Sequence, residues 1–223
     1  MTYTGTSRYG LNRAQPQPTP HQLYSPWGHQ PDNDNTRRPR TWPPMIGLTG
    51  KRNVGKSTVA AMLEEEYGFE RIHAFGAGKH AAAAWFDYVG GDGDRMVWGD
   101  LKDQPSEYLP GGVAPRYFLE RFGKFMGEEM GVAWTLGLEI ILARERNPRA
   151  PIVVESVVYE ADCFKRLGGT IWRLERPGHR GPVGQESDAE QARIVEDAII
   201  SAATVDDLRR QARNLYQQIG GGT

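Results

Sequence analysis

Residues 45–63 read MIGLTGKRNVGKSTVAAML, and this stretch decides the fold. The apolar run Met45–Thr49 predicts a short buried strand. Gly50, Gly55, Lys56 and Ser57 then satisfy the spacing G-x-x-x-x-G-K-[ST], and the run from Lys56 to about Tyr67 predicts a helix. A strand, a glycine loop and a helix in that order form the context in which this spacing wraps a phosphate chain. Glycines let successive backbone N–H groups turn inward, and the opening helix aims its positive end at the same anion. The candidate nucleotide-binding residues are therefore Gly50, Asn53, Val54, Gly55, Lys56, Ser57 and Thr58. Lys56 is expected to bridge the β- and γ-phosphates of ATP, and Ser57 to ligate Mg²⁺.

The letters NVGKST also suit GTP-driven switches. Those need a D-x-x-G after a strand and an N-K-x-D loop that reads guanine. The plausible D-x-x-G, Asp87–Gly90, closes a helix-like run, and N-K-x-D does not occur. The switch class is excluded on that ground.

Beyond the loop the chain alternates between strand and helix patterns. Phe69–Phe75 predicts a second strand and Gly78–Val89 a helix. Gly90–Ala114 is too polar and glycine-rich to assign. Pro115 opens a helix through Met130, where its missing N–H costs nothing, with Phe118, Leu119, Phe122, Phe125 and Met126 at helical spacing. A helix over Ala133–Glu145, an apolar strand over Pro151–Ser156, a short glycine-stopped helix in Tyr159–Gly169 and a strand over Thr170–Arg176 follow. A last strand in Asp197–Ala203 and a Thr204-capped amphipathic helix complete the pattern. Such alternation predicts an α/β fold, a parallel sheet flanked by helices.

Residues 1–44 are different in kind. Eight of the fifteen prolines fall there, without apolar periodicity, so this segment is expected to be a disordered tail ahead of a P-loop nucleotide-binding domain at 45–223. Its Arg37, Arg38 and Arg40 form a basic run able to touch DNA phosphates, although a solvated tail is the commoner reading of such a run. The formal net charge of −1 gives no global pull toward nucleic acid or membranes. A single cysteine, Cys163, no bilayer-length apolar run and no signal-like apolar core lead to a cytoplasmic expectation. Nothing in the sequence sets an oligomeric state.

A second anionic partner in an open α/β sheet lies beyond the carboxyl ends of the strands. Lys79, Arg116, Arg173, Arg176, His179 and Arg180 fall in segments expected there, and cations spaced around a phosphate loop suit phosphoryl transfer.

From about Met45 to Ile219 the chain resembles the phage-type deoxynucleoside monophosphate kinases of the nucleoside-monophosphate-kinase-like P-loop group. The matching blocks are GLTGKRNVGKSTVA, IHAFGAGKHAAAA, LKDQPSEYLPGGVAPRYFLERFGKFMG, IVVESVVYEADCFKRLGGTIWRLERPG and DAIISAATVDDL, in the family's order. The Ala-Pro-Arg helix start and the EADCFKRLGG…RLERPG block are the specific parts. The resemblance implies transfer of the ATP γ-phosphate to a deoxynucleoside 5′-monophosphate, with Mg²⁺. It implies that Arg116 grips the acceptor phosphate, that Lys79 lies on the substrate side, and that Glu155 stands near the metal and the acceptor. It assigns Arg176 and Arg180 to the lid, with Arg176 acting on the transferred group, and places Trp134 either against the base or in the core.

Three positions depart from the family pattern. No arginine follows Glu155 in ESVVYE, Glu128 stands where an arginine is usual, and GQESDAEQ lacks a histidine. These departures leave the acceptor's identity open and allow a different acceptor, with Lys124 or Arg121 compensating. Two other readings stay open: a related kinase acting on a hydroxymethylated pyrimidine nucleotide or on that base within DNA, and a nucleotide-binding protein without transfer activity. Dephospho-coenzyme A kinase is a weaker third.

Overall fold

A computed structural model describes residues 43–179 and 190–220. The expected disordered tail, apart from Pro43 and Pro44, lies outside the described residues. So do Arg37, Arg38, Arg40, Arg180 and the rest of the expected lid up to 189.

Five strands form one parallel sheet: β1 Met45–Thr49, β2 Glu70–His73, β3 Ile152–Glu155, β4 Thr170–Glu175 and β5 Ala198–Ser201. Their order across the sheet is β2-β3-β1-β4-β5. The strand carrying the phosphate loop is thus central, with Gly47 opposite Val154 on one side and Ile171 on the other. The helices are α1 Lys56–Tyr67, α2 Gly76–Tyr88, α3 Gly93–Val97, α4 Pro115–Met126, α5 Val132–Arg146, α6 Ala161–Arg166 and α7 Val205–Gln218.

Alternation along β1 explains the two layers. Ile46 and Leu48 face a core closed by Val59 and Leu63 of α1 and by Leu208 and Ala212 of α7. Met45 faces the opposite core, closed by Leu136 and Ile140 of α5 and Phe164 of α6. Side chains alternate across a strand, so a central strand buried on both faces reads as a continuous apolar run. Gly47 completes this arrangement, because a β-carbon there would stand 2.8 Å from the Phe164 ring. A third, smaller cluster joins Phe86 of α2, Met96 and Val97 of α3 and Leu119 of α4 beside the sheet.

Two expectations need correction. The unassigned Gly90–Ala114 stretch holds α3, capped by Asp92, whose side chain accepts from the Arg95 amide at 3.0 Å. The helix expected through Met130 ends as α-helix at Met126, and a wider turn at Gly127–Gly131 leads into α5, with Gly131 at φ 86°. Only a glycine holds such a φ cheaply, so the turn is written into Gly131 rather than into the apolar spacing. The Thr204 cap forms as read, accepting from the Asp207 amide at 3.2 Å.

Arg173 also departs from its expected place among the site cations. From β4 it donates to Glu196 at 2.9 Å and to the carbonyls of Gln191 and Ile194 at 2.9 and 2.8 Å. It pins residues 191–196 to the sheet. Arg173→Met is expected to cost about 2 kcal/mol, since two carbonyls and a carboxylate lose a largely buried partner. Nucleotide affinity at a temperature where the variant is folded should stay within about twofold. Thermal unfolding and nucleotide titration check the two halves of that expectation.

Candidate active site

The phosphate loop is curled by backbone geometry that its residue types permit. Gly50 and Gly55 have φ of 129° and 103°, and Asn53, a residue that tolerates the left-handed region, has φ 63°. A β-carbon on Gly50 would meet the Leu174 carbonyl oxygen at 2.3 Å. The first amide of α1 bonded back along the helix is Val59, which reaches Gly55 O at 3.1 Å. The amides ahead of it are the unsatisfied donors of a helix N-terminus, the natural seat of an anion. Val54 is a partial correction: its side chain is buried in the core, so only its backbone is available to a ligand.

Lys56 lies across this cradle. Its Nζ donates to Gly50 O at 2.6 Å and to Lys51 O at 2.9 Å. Burial lowers its pKa to about 8, and the nearby Glu155 carboxylate opposes the shift. A desolvated ammonium held on its own loop's carbonyls is poised for a polyanion that would replace those contacts with stronger ones.

Glu155 ends β3 beside β1, and His73 ends β2 opposite Glu155 in register. Arg71 bonds the Glu155 carboxylate. Glu155 also acts on Lys79, whose pKa is lowered to about 8 by burial and then by Lys102, with Glu155 opposing. Lys102 is itself lowered, by burial and then by Arg116. His73 is half-buried, and desolvation, followed by Lys79, Lys102 and Lys56, holds it neutral with a pKa well below its ordinary value. Its Nδ1 accepts from the Phe75 amide at 3.1 Å, so the ring proton sits on Nε2. Three lysines felt by one imidazole define a concentrated positive field over the strand ends, the kind of field that draws in an anion.

The structure therefore gathers Lys56, Lys79, Arg116 and Glu155 into one electrostatic neighbourhood. Arg176 is exposed just past β4, where its carbonyl accepts from the His179 amide. His179 itself contacts the phosphate loop, its Nε2 standing 2.7 Å from Arg52 O. Of the suggested compensating cations, Arg121 stacks over the Tyr117 ring at 5.2 Å and Lys124 pairs with Glu128 at 4.0 Å. Sequence reading missed Lys102, Asp103, Arg71, Arg52 and His73. Lys102 and Asp103 lie in the stretch that carried no periodic pattern, so only the quoted block LKDQ marked them.

Trp134 is half-buried and lines an apolar cavity of about 220 Å³ with Phe75, Phe122, Met126, Thr135 and Glu139. Glu139 accepts from the Ala77 amide at 2.5 Å, which anchors α5 to the start of α2. Magnesium takes hard oxygen donors and keeps only one or two protein ligands beside phosphate and water. Ser57, exposed in the first turn of α1, and Glu155, coupled to Lys56, fit that demand. No group of three or more acidic, histidine or cysteine side chains suited to a metal occurs among the described residues.

Fold and loop together define a phosphate-loop α/β protein. No known family's sequence profile matches the chain, and no curated protein matches it. Among solved structures, a Thermus thermophilus protein is similar at TM-score 0.43 and 18% identity, covering 80% of this chain and 98% of its own. The dephospho-CoA kinase of Campylobacter jejuni is similar at TM-score 0.40 and 17% identity, over 80% and 98%. The shikimate kinase of Bacteroides thetaiotaomicron is similar at TM-score 0.36 and 16% identity, over 79% and 98%. Likeness at this level says nothing about substrate. No helix among the described residues is long and apolar enough to cross a membrane.

Proposed function

We propose that the protein transfers the γ-phosphoryl group of ATP to the phosphate of a deoxynucleoside 5′-monophosphate. The observation behind this reading is the second cation set. Lys79, Lys102 and Arg116 act on one another and, through Glu155 and His73, share the field of the loop's Lys56. A protein that only binds a triphosphate needs no second site for negative charge; a kinase with a phosphorylated acceptor does. The apolar cavity lies on the same Ala74–Gly78 turn that leads to Lys79, and its aromatic walls suit a planar base. The deoxy sugar rests on the sequence resemblance.

In this reading an oxygen of the acceptor phosphate attacks the γ-phosphorus while the bond to the β–γ bridging oxygen breaks, and ADP leaves. The loop amides and Lys56 hold the donor, and Lys56 follows the migrating group. Arg116, Lys79 and Lys102 hold the acceptor phosphate in line, which is most of what phosphoryl transfer asks of a protein. Neutral His73 adds no competing charge among the lysines. Mg²⁺, held by Ser57 and Glu155, would neutralise charge on the β- and γ-oxygens.

ADP release should be measured with the four common deoxynucleoside monophosphates, hydroxymethylated pyrimidine nucleotides, duplex DNA, dephospho-coenzyme A, shikimate and gluconate. Acceleration by a deoxynucleoside monophosphate is the expected result. Turnover only with DNA or with an acceptor outside that class would overturn the proposal. Arg116→Ala should raise the acceptor KM about 10- to 100-fold, the worth of a lost charge-assisted pair, while leaving the ATP KM within about threefold. An unchanged acceptor KM removes Arg116 from the site.

A further inference from the structure

Asp103 bridges two arginines that belong to different parts of the site. Arg116, in the first turn of α4, offers Nε and one terminal nitrogen to the two carboxylate oxygens, the second contact at 2.9 Å. Arg52, from the phosphate loop, bonds the same carboxylate. A guanidinium fork facing both oxygens of a carboxylate uses the geometry with which it binds phosphate. The Arg116 hydrogen bond, ahead of Arg52, draws the Asp103 carboxyl down to about 2, so it stays ionised at any working pH. The contact is also shallow: the Asp103 side chain is 46% exposed and that of Arg116 25%. A phosphate arriving from solvent carries more charge and more acceptor oxygens than a carboxylate, so it can compete for the same fork. A phosphate-type fork is thus closed by a half-exposed carboxylate that a phosphate can displace.

Resting on the functional reading above, we propose that Asp103 is an internal stand-in for the acceptor's phosphate, holding the Arg116 fork until the acceptor takes it. The same carboxylate restrains Arg52. Its displacement therefore frees a phosphate-loop arginine at the moment the acceptor arrives, and Arg52 turns to the donor. Acceptor and Mg·ATP then strengthen each other's binding, and linkage requires the two effects to be equal. Asp103 is a positioning residue in this scheme, since it touches arginines and not reacting atoms.

The test is a pair of titrations on the full chain. Each common deoxynucleoside monophosphate is titrated with and without saturating Mg·AMP-PNP, and Mg·AMP-PNP is titrated with and without the monophosphate. In Asp103→Asn the acceptor Kd without AMP-PNP should fall about threefold to tenfold, because a competitor has gone. The mutual strengthening seen in the wild type should shrink toward none, because Arg52 is already free. Weaker acceptor binding in Asp103→Asn would mean the carboxylate orients Arg116, and an undiminished coupling would mean Arg52 is not its target; either overturns the inference. Arg52→Gln gives the second handle should the first variant fold poorly: coupling should vanish while acceptor binding is not weakened, and persistent coupling again overturns it. A wild type that binds neither nucleotide overturns the functional reading itself. A wild type that binds both, with Asp103→Asn unchanged, sinks this inference alone.

Discussion

Lys56→Ala is expected to lower phosphoryl transfer about 10³-fold or more, equivalent to about 4 kcal/mol of transition-state stabilisation. The reason is positional. Lys56 is the half-buried cation lying on the loop carbonyls of Gly50 and Lys51, where a bound triphosphate is expected to seat. Folding should be little affected, because desolvation of the ammonium offsets much of what its two hydrogen bonds contribute. Single-turnover rates and thermal unfolding, measured together, check both halves. A variant that still turns over within tenfold of the wild type would remove Lys56 from catalysis.

The same residue gives the pH dependence a definite sign. Its pKa in the free protein is lowered from 10.5 to about 8 by burial. Between those values the folded chain binds fewer protons than the unfolded one. The Lys56 contribution to stability therefore rises with pH across this window and is a constant cost below it. A bound triphosphate restores the charged form. Nucleotide binding near pH 8–9 should take up protons, and affinity should fall as pH rises beyond 8. Calorimetry in two buffers of different ionisation enthalpy reads the uptake. Lys79 shares a value of about 8, so the loss of uptake in Lys56→Ala separates the two.

The second large effect is expected at Gly50. Gly50→Ala sets a β-carbon 2.3 Å from the Leu174 carbonyl on a residue with φ 129°. The strain of that φ and the clash with backbone should together cost about 2–4 kcal/mol and lower Tm by roughly 5–15 °C. Relief of the clash requires the loop to pull away from β4, so nucleotide binding should fall with stability. A variant that keeps its Tm and its affinity would show that the loop is not curled against Leu174.

Much of this architecture was legible in residue order, and the reasons are local. β1, α1, α6, β4 and α7 were read with the right type because their apolar spacing, caps and glycine stops act over a few residues. The π-type turn at Gly127–Gly131 was not legible, because the apolar positions on either side continue a helical spacing that one left-handed glycine interrupts. α3 was obscured by its shortness, although Asp92 followed by Gly-Asp-Arg is a cap signal in itself. In the candidate site, the loop residues carried a spacing that has a mechanism. Lys102, Asp103 and His73 carried none, since a charge in a polar stretch looks alike whether it faces solvent or a cleft.

The sequence by itself determined the curled glycine loop between β1 and α1 and the alternating α/β pattern, because these depend on backbone conformation and near-neighbour chemistry. The tertiary structure alone decided which cations share one field. It moved Arg173 into a structural anchor, left Arg176 exposed, and set Lys79, Lys102 and Arg116 beside Lys56 and Glu155. Electrostatic coupling depends on distance and desolvation across strands that are adjacent in the sheet but far apart in the chain, and no spacing along the chain encodes that.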